Sequence, residues 1–115
     1  MRRHGGSAVV VGAPDEMELG DRLWASLSVP SQNFTGKTSL LEMAGILSQG
    51  DLILANDSGP LHVGVALRRP VVAPFFCTKP SLTGPYGQLE GTLWTPRSCR
   101  GSLVRQCPTS MECFA

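Results

Sequence analysis

The chain has 115 residues, 42% of them hydrophobic, and a net charge of +1 from ten basic and nine acidic side chains. That is one domain's worth of chain with enough apolar content for a core, which excludes a disordered class. The near-neutral balance excludes a strong long-range field, so nucleic acid is not an expected partner, and no apolar run approaches the ~20 residues that a membrane-spanning helix requires.

Residues 1–7 are polar, basic and glycine-rich, and are expected to form a disordered leader. The apolar run behind them is too short for a signal peptide, so the expected location is the cytoplasm. Ala8-Val9-Val10-Val11 is a continuous β-branched run closed by Gly12. Such a run suits a strand buried on both faces of a parallel sheet. Gly12-Ala13-Pro14-Asp15 is turn chemistry. Asp15 can cap the helix that follows, and Glu16 and Glu18 suit its first turn. Leu19, Leu23 and Leu27 recur every four residues and predict one buried helical face, with Pro30 ending the segment.

Asn33-Phe34-Thr35-Gly36 reads as a brief extended piece. Thr38 or Ser39 caps a second helix, whose apolar face is Leu40, Met43, Ala44 and Leu47. Gly50 closes it, and Leu52-Ile53-Leu54-Ala55 is a second buried strand. After the sharp turn Asn56-Asp57-Ser58-Gly59-Pro60, a third helix runs to about Leu67, and Pro70 stops it. Val71 to Phe76 is a third strand, and Pro74 predicts an edge or bulge at that end. Lys79 to Gly91 reads as loop, and Leu93-Trp94 as a short edge strand. Strands alternating with helices predict an α/β domain with a parallel sheet over residues 8–96, followed by a cysteine-containing tail, 97–115.

Ligands of open α/β sheets bind beyond the carboxyl ends of the strands. The turn from Asn56 to His62 lies at that end. Ser58 and Gly59 begin a helix whose first amides lack intrahelical partners, which favours an anion. Gly59 has no side chain to keep a phosphate away from the backbone. His62, four residues after Ser58, can donate to a phosphate oxygen. The Asp57 carboxylate can accept from sugar hydroxyls. A sugar joined to a diphosphate satisfies both groups. The same residues also make a good helix start without any ligand, with Ser58 as cap and Pro60 in the first turn.

The ordered set Asn56-Asp57-Ser58-Gly59-Pro60-Leu61-His62, a Pro-led strand and Thr83-Gly84-Pro85-Tyr86-Gly87 resembles glycosyltransferase family 9, the ADP-heptose:lipopolysaccharide heptosyltransferases. Gly36-Lys37-Thr38-Ser39-Leu40 and Gly12-Ala13-Pro14 with Glu16 extend the resemblance over roughly residues 8–113. It implies the C-terminal, Rossmann-like half of a GT-B fold, incomplete here. On the matching positions it implies that Asp57 binds donor-sugar hydroxyls and that Ser58, Gly59 and His62 hold the diphosphate. Glu16 would meet the ribose, and Thr38 and Ser39 would line the adenine side. The implied reaction is inverting transfer of heptose from ADP-heptose to a sugar of the lipopolysaccharide core, at the cytoplasmic face of the inner membrane. The resemblance assigns the catalytic base to an N-terminal domain, and one strand, one helix and a basic residue of the C-terminal domain to positions outside this chain. No catalytic residue is therefore expected here, and the chain alone is expected to be inactive. No cofactor is implied. An unpaired sheet edge would favour self-association.

Two departures bear on the donor. The family's Phe-Gly-Pro-Thr-Asp-Pro is Phe75-Phe76-Cys77-Thr78-Lys79-Pro80 here, so a glycine becomes Phe76 and an acidic residue becomes Lys79. Two rival readings stay open: a non-catalytic remnant or folding module, and a GT-B enzyme or epimerase that uses another nucleotide sugar. Cys99, Cys107 and Cys113 lack close Cys-x-x-Cys pairing and a nearby histidine, so no metal site is expected, and Cys77 reads as a packed hydrophobe.

Overall fold

The computed structural model describes residues 5–76 and 78–95, which fall into two compact units divided between Gly45 and Ile46. Cys77 and the three tail cysteines lie outside the described residues, as do the expectations that rest on them.

In the first unit, strand β1 (Ala8–Val10) pairs in parallel with β2 (Ser31–Asn33), with Val9 opposite Gln32. Amide bonds from Ala8 to the Pro30 carbonyl and from Phe34 to the Val10 carbonyl, each 2.9 Å, extend the ladder at both ends. A single 3-10 turn, Pro14–Glu16, leads into helix α1 (Met17–Ser26). Asp15 lies inside that turn and makes no cap; Glu16 holds the turn instead, its Oε2 accepting the Ala13 amide at 2.8 Å.

The face that α1 buries is not the one its leucines predict. Leu19 and Leu23 are exposed at 61% and 50%, and Gly20 is the one buried residue of the helix. A Cβ on Gly20 would collide with the Thr35 side chain, so the missing methyl is what lets α1 close on its strands. Thr35 is buried, and Asn33 Oδ1 accepts both its amide (2.9 Å) and its hydroxyl (2.7 Å). Asn33 Nδ2 in turn donates to Asp21 of α1 at 2.7 Å. One asparagine thus satisfies a buried polar residue and ties helix to strand. The leucine period located the helix correctly, but a glycine carries no hydrophobic signal, so the packed face was hidden.

Helix α2 (Leu40–Gln49) begins with a reciprocal cap. Glu42 Oε2 accepts the Ser39 amide (2.7 Å) and hydroxyl (2.8 Å), while the Ser39 hydroxyl accepts the Glu42 amide at 3.3 Å. The Ser39 amide first, then its hydroxyl, hold the Glu42 carboxyl below its ordinary range. A depressed folded-state value means stability that is present above the unfolded value, about 4.3, and lost as pH falls through the folded one. Ser39→Ala should therefore shrink the acid-side fall in stability, read from urea unfolding of both proteins at about pH 7 and about pH 3. Alanine keeps the amide and removes only the hydroxyl, so equal acid sensitivity in both would remove the hydroxyl's share from the account.

In the second unit, β3 (Ile53–Leu54), β4 (Val71–Phe75) and β5 (Thr92–Trp94) form a parallel sheet in the order β3-β4-β5. Ile53 faces Val71 and Phe75 faces Trp94 across the ladders. Helix α3 (Gly59–Ala66) contributes Leu61 and Gly64 to the core, beside Ile53, Val71, Ala73 and Phe75. Two short elements occupy the stretch expected as loop: helix α4 (Pro80–Thr83) and a 3-10 turn at Leu89–Gly91.

The parallel α/β class is as expected, but the described strands pair as two sheets, not one. Pro74 also departs from expectation, because β4 is the central strand of its sheet. Backbone groups alternate sides along a strand. The Val72 carbonyl bonds Ala55 and the Phe75 carbonyl bonds Thr95, so Pro74 shares the Val72 side, where β3 has already ended. The next bond of that ladder would run from residue 74 to the Ala55 carbonyl, so pairing with β3 stops where the proline has no N–H to give. Among the described residues, no helix is long and apolar enough to cross a membrane.

Candidate functional site

The carboxyl ends of the parallel strands β3 and β4 each run into a turn that carries site chemistry. Beyond β3 come Asn56, Asp57 and Ser58, then the first residue of α3, Gly59. Ser58 occupies the N-cap position in extended conformation, with φ −153° and ψ 173°. It was expected to cap the helix through its hydroxyl. Instead that hydroxyl turns back and donates to the Asn56 carbonyl at 3.3 Å, so it caps no amide. The Leu61 amide bonds the Ser58 carbonyl at 3.1 Å, which leaves the Ser58 and Gly59 amides to solvent or to a ligand. Pro60 needs no partner at this position, since it lacks an N–H. Gly59 is exposed, and a Cβ built on it would meet nothing within 4 Å.

Asp57 is half-buried, and its two oxygens do different things. Oδ2 accepts the Thr78 hydroxyl at 2.7 Å and the Thr83 hydroxyl at 3.1 Å. Oδ1 lies 3.9 Å from Nε2 of His62, beyond hydrogen-bond reach but within reach of a charge interaction when the imidazole is protonated. His62 itself is 52% exposed. It stands between the Asp57 carboxylate and an open groove of about 590 Å³, lined also by Val65, Arg68, Tyr86, Gly87 and Gln88. The loop with Tyr86 and Gly87 is fixed by Gln88. Its amide donates to the Arg69 carbonyl at 2.9 Å and accepts from the Val71 amide at 3.0 Å, clipping the loop to the start of β4. Gln88→Ala should loosen this clip and cost about 1–3 kcal/mol, the penalty of stranding a part-buried donor and acceptor. Denaturant unfolding reads it, and a change below about 0.3 kcal/mol would contradict the clip.

Asp57, Ser58, Gly59 and His62, singled out in the sequence, are therefore brought together in the second unit. Glu16, Thr38 and Ser39 belong to the first. There the turn after β1 and the turn after β2 touch, the Gly36 amide donating to the Gly12 carbonyl at 2.9 Å. Gly36 takes φ 70° at this contact, a conformation glycine adopts without strain. Thr38 is half-buried, Ser39 is used by the helix cap, and one carboxylate oxygen of Glu16 is used by its own turn. Sequence reasoning missed Thr78 and Thr83. They lie 21 and 26 residues from Asp57, and nothing local in a threonine announces a distant carboxylate.

Parallel strands whose carboxyl-end turns present a helix start, a carboxylate and an imidazole define a parallel α/β protein whose candidate site lies at the strand ends. Sequence and structure comparisons narrow this further. The profile of glycosyltransferase family 9 (heptosyltransferase) matches residues 1–112, and the chain belongs to that family. Lipopolysaccharide core heptosyltransferase OpsX of Haemophilus influenzae is 31% identical over 81 residues, which is 70% of this chain and 23% of that protein. Lipopolysaccharide heptosyltransferase 2 of Escherichia coli is 33% identical over 85 residues, 70% of this chain and 24% of that protein. The crystal structure of a family 9 glycosyl transferase from Veillonella parvula superposes with a TM-score of 0.68 at 28% identity, over 82% of this chain and 27% of that one. The structure of the E. coli ADP-heptose lps heptosyltransferase II gives 0.70 at 25% identity, over 95% of this chain and 35% of that one. The chain thus spans about a quarter of the length of the curated relatives it matches.

Proposed function

We propose that this chain forms the donor-binding part of a glycosyltransferase that transfers heptose from ADP-heptose to the lipopolysaccharide core with inversion, on the cytoplasmic side of the membrane. The observation that carries the reading is the start of α3. There, amides left uncapped by Ser58 adjoin a carboxylate and an imidazole 3.9 Å apart. In the proposed complex the Ser58 and Gly59 amides face the diphosphate, and His62 donates to one of its oxygens. The negative charge that grows on the departing diphosphate is stabilised by these fixed donors. Asp57 Oδ1 accepts from donor-sugar hydroxyls. The family resemblance assigns the ribose to Glu16 and the adenine side to Thr38 and Ser39. The base that deprotonates the acceptor hydroxyl is assigned to none of these residues. Family membership supports the chemistry, and the names of the relatives supply the heptose donor and the lipopolysaccharide acceptor.

Titration calorimetry with ADP tests the reading. The chain should bind, and His62→Ala should weaken binding about tenfold, the size of one charge-assisted hydrogen bond. No heat and no chemical-shift change with millimolar ADP would sink it. A second reading is favoured by the occupation of Asp57 Oδ2: the carboxylate serves only to tie loops together, and the chain binds no donor. A panel of ADP, UDP and GDP separates the two and also reports the nucleotide.

A further inference from the structure

We infer that Thr78 and Thr83 are positioning residues that set which oxygen of Asp57 faces the donor sugar; this rests on the donor-site reading above. A carboxylate offers about four acceptor positions, two on each oxygen. Thr78 and Thr83 donate to the same oxygen, Oδ2, at 2.7 and 3.1 Å, and so fill its two positions. Oδ1 keeps both of its own, because His62 Nε2 at 3.9 Å is too far to bond. The free pair matches two neighbouring sugar hydroxyls. The threonines come from the far side of the site. Thr78 follows β4, and Thr83 is the last residue of α4. Two donors from two places fix the carboxylate plane as well as its position, which one donor cannot do. The arrangement also links the turn after β3 to the turn after β4, so the sugar-binding oxygen is held before the ligand arrives. Preorganisation of this kind lowers the ordering cost of binding.

The proposal separates the sugar from the nucleotide. ADP reaches the amides of α3 and His62 without Asp57, whereas ADP-heptose also uses Oδ1. Thr78→Val and Thr83→Val keep side-chain shape and remove one hydroxyl each. Each should weaken ADP-heptose about tenfold and leave ADP within about twofold. Thr→Ser at either position, which keeps the hydroxyl, should restore the sugar's contribution. Equal weakening of both ligands, or no rescue by serine, would show a merely structural role and overturn the proposal. A second readout needs no ligand. Three-bond couplings to Cγ2 should report a single rotamer for Thr78 and for Thr83 in the wild-type chain, and averaging in Asp57→Ala. Averaged rotamers in the wild type would overturn the tether outright. A wild-type chain that binds neither ligand would sink the donor reading and the positioning role with it, while single rotamers would still uphold the tether.

Discussion

Leu61→Ala should cost about 2–5 kcal/mol and lower the melting temperature by about 10 °C or more, the largest stability loss expected from any single truncation in α3. Leu61 is fully buried, at 0% exposure, and is the residue by which the first turn of α3 is pressed onto its sheet. One turn further on, Gly64 allows the same approach. A Cβ there would come 2.6 Å from Cδ1 of Ile53. Among the described residues the other ties of the segment that carries Asp57, Gly59 and His62 are polar, chiefly the Thr78 and Thr83 hydroxyls on Asp57. Ser58 makes no cap bond, and His62 is half exposed. Truncating Leu61 therefore removes core volume and also releases the backbone that presents the free amides. Thermal unfolding by circular dichroism reads the first effect. A shift below about 3 °C would mean that α3 is held elsewhere.

How much of this was legible in the sequence depends on whether the cause was local. The strand–turn–helix order at Leu52 to His62 was read correctly because its signals are local: an apolar run, a turn, a proline at the helix start. The Ser39 cap was legible for the same reason, with Glu42 three residues on. The expected burial of the apolar run failed, since Ile53 is buried but Leu52 and Leu54 are 60% and 75% exposed. Most of what was not legible depended on contacts between distant residues. The buried face of α1 is set by Thr35, which sits fifteen positions past Gly20 in the chain and demands a glycine opposite it. The direction of the Ser58 hydroxyl depends on how the turn at Asn56 folds, which residue type does not determine. The threonine pair on Asp57 needed three turns to meet. The Pro74 expectation failed in an instructive way. β4 is the central strand, not an edge, and the missing donor of Pro74 instead coincides with the end of the β3 ladder.

Substitution of Gly59 separates a folding role from a binding role at the same atom. Gly59 is the first residue of α3, and apart from its chain neighbours and its own helix backbone no atom lies within 4 Å of a Cβ placed on it. Alanine should therefore be accommodated without strain. It should leave stability unchanged or raise it by about 0.4–1 kcal/mol, since alanine has less freedom to lose on folding. For the proposed donor the same methyl is an obstruction. It stands over amides that a phosphate oxygen must approach to within about 3 Å. Gly59→Ala should weaken ADP at least tenfold in a protein that melts no lower than the wild type. Loss of binding with intact or improved stability is a result that no structural role of Gly59 can produce, because nothing in the fold needs that space to be empty. ADP affinity unchanged in the Gly59→Ala protein would place the diphosphate away from the start of α3, and the anion site would have to be sought elsewhere on the chain.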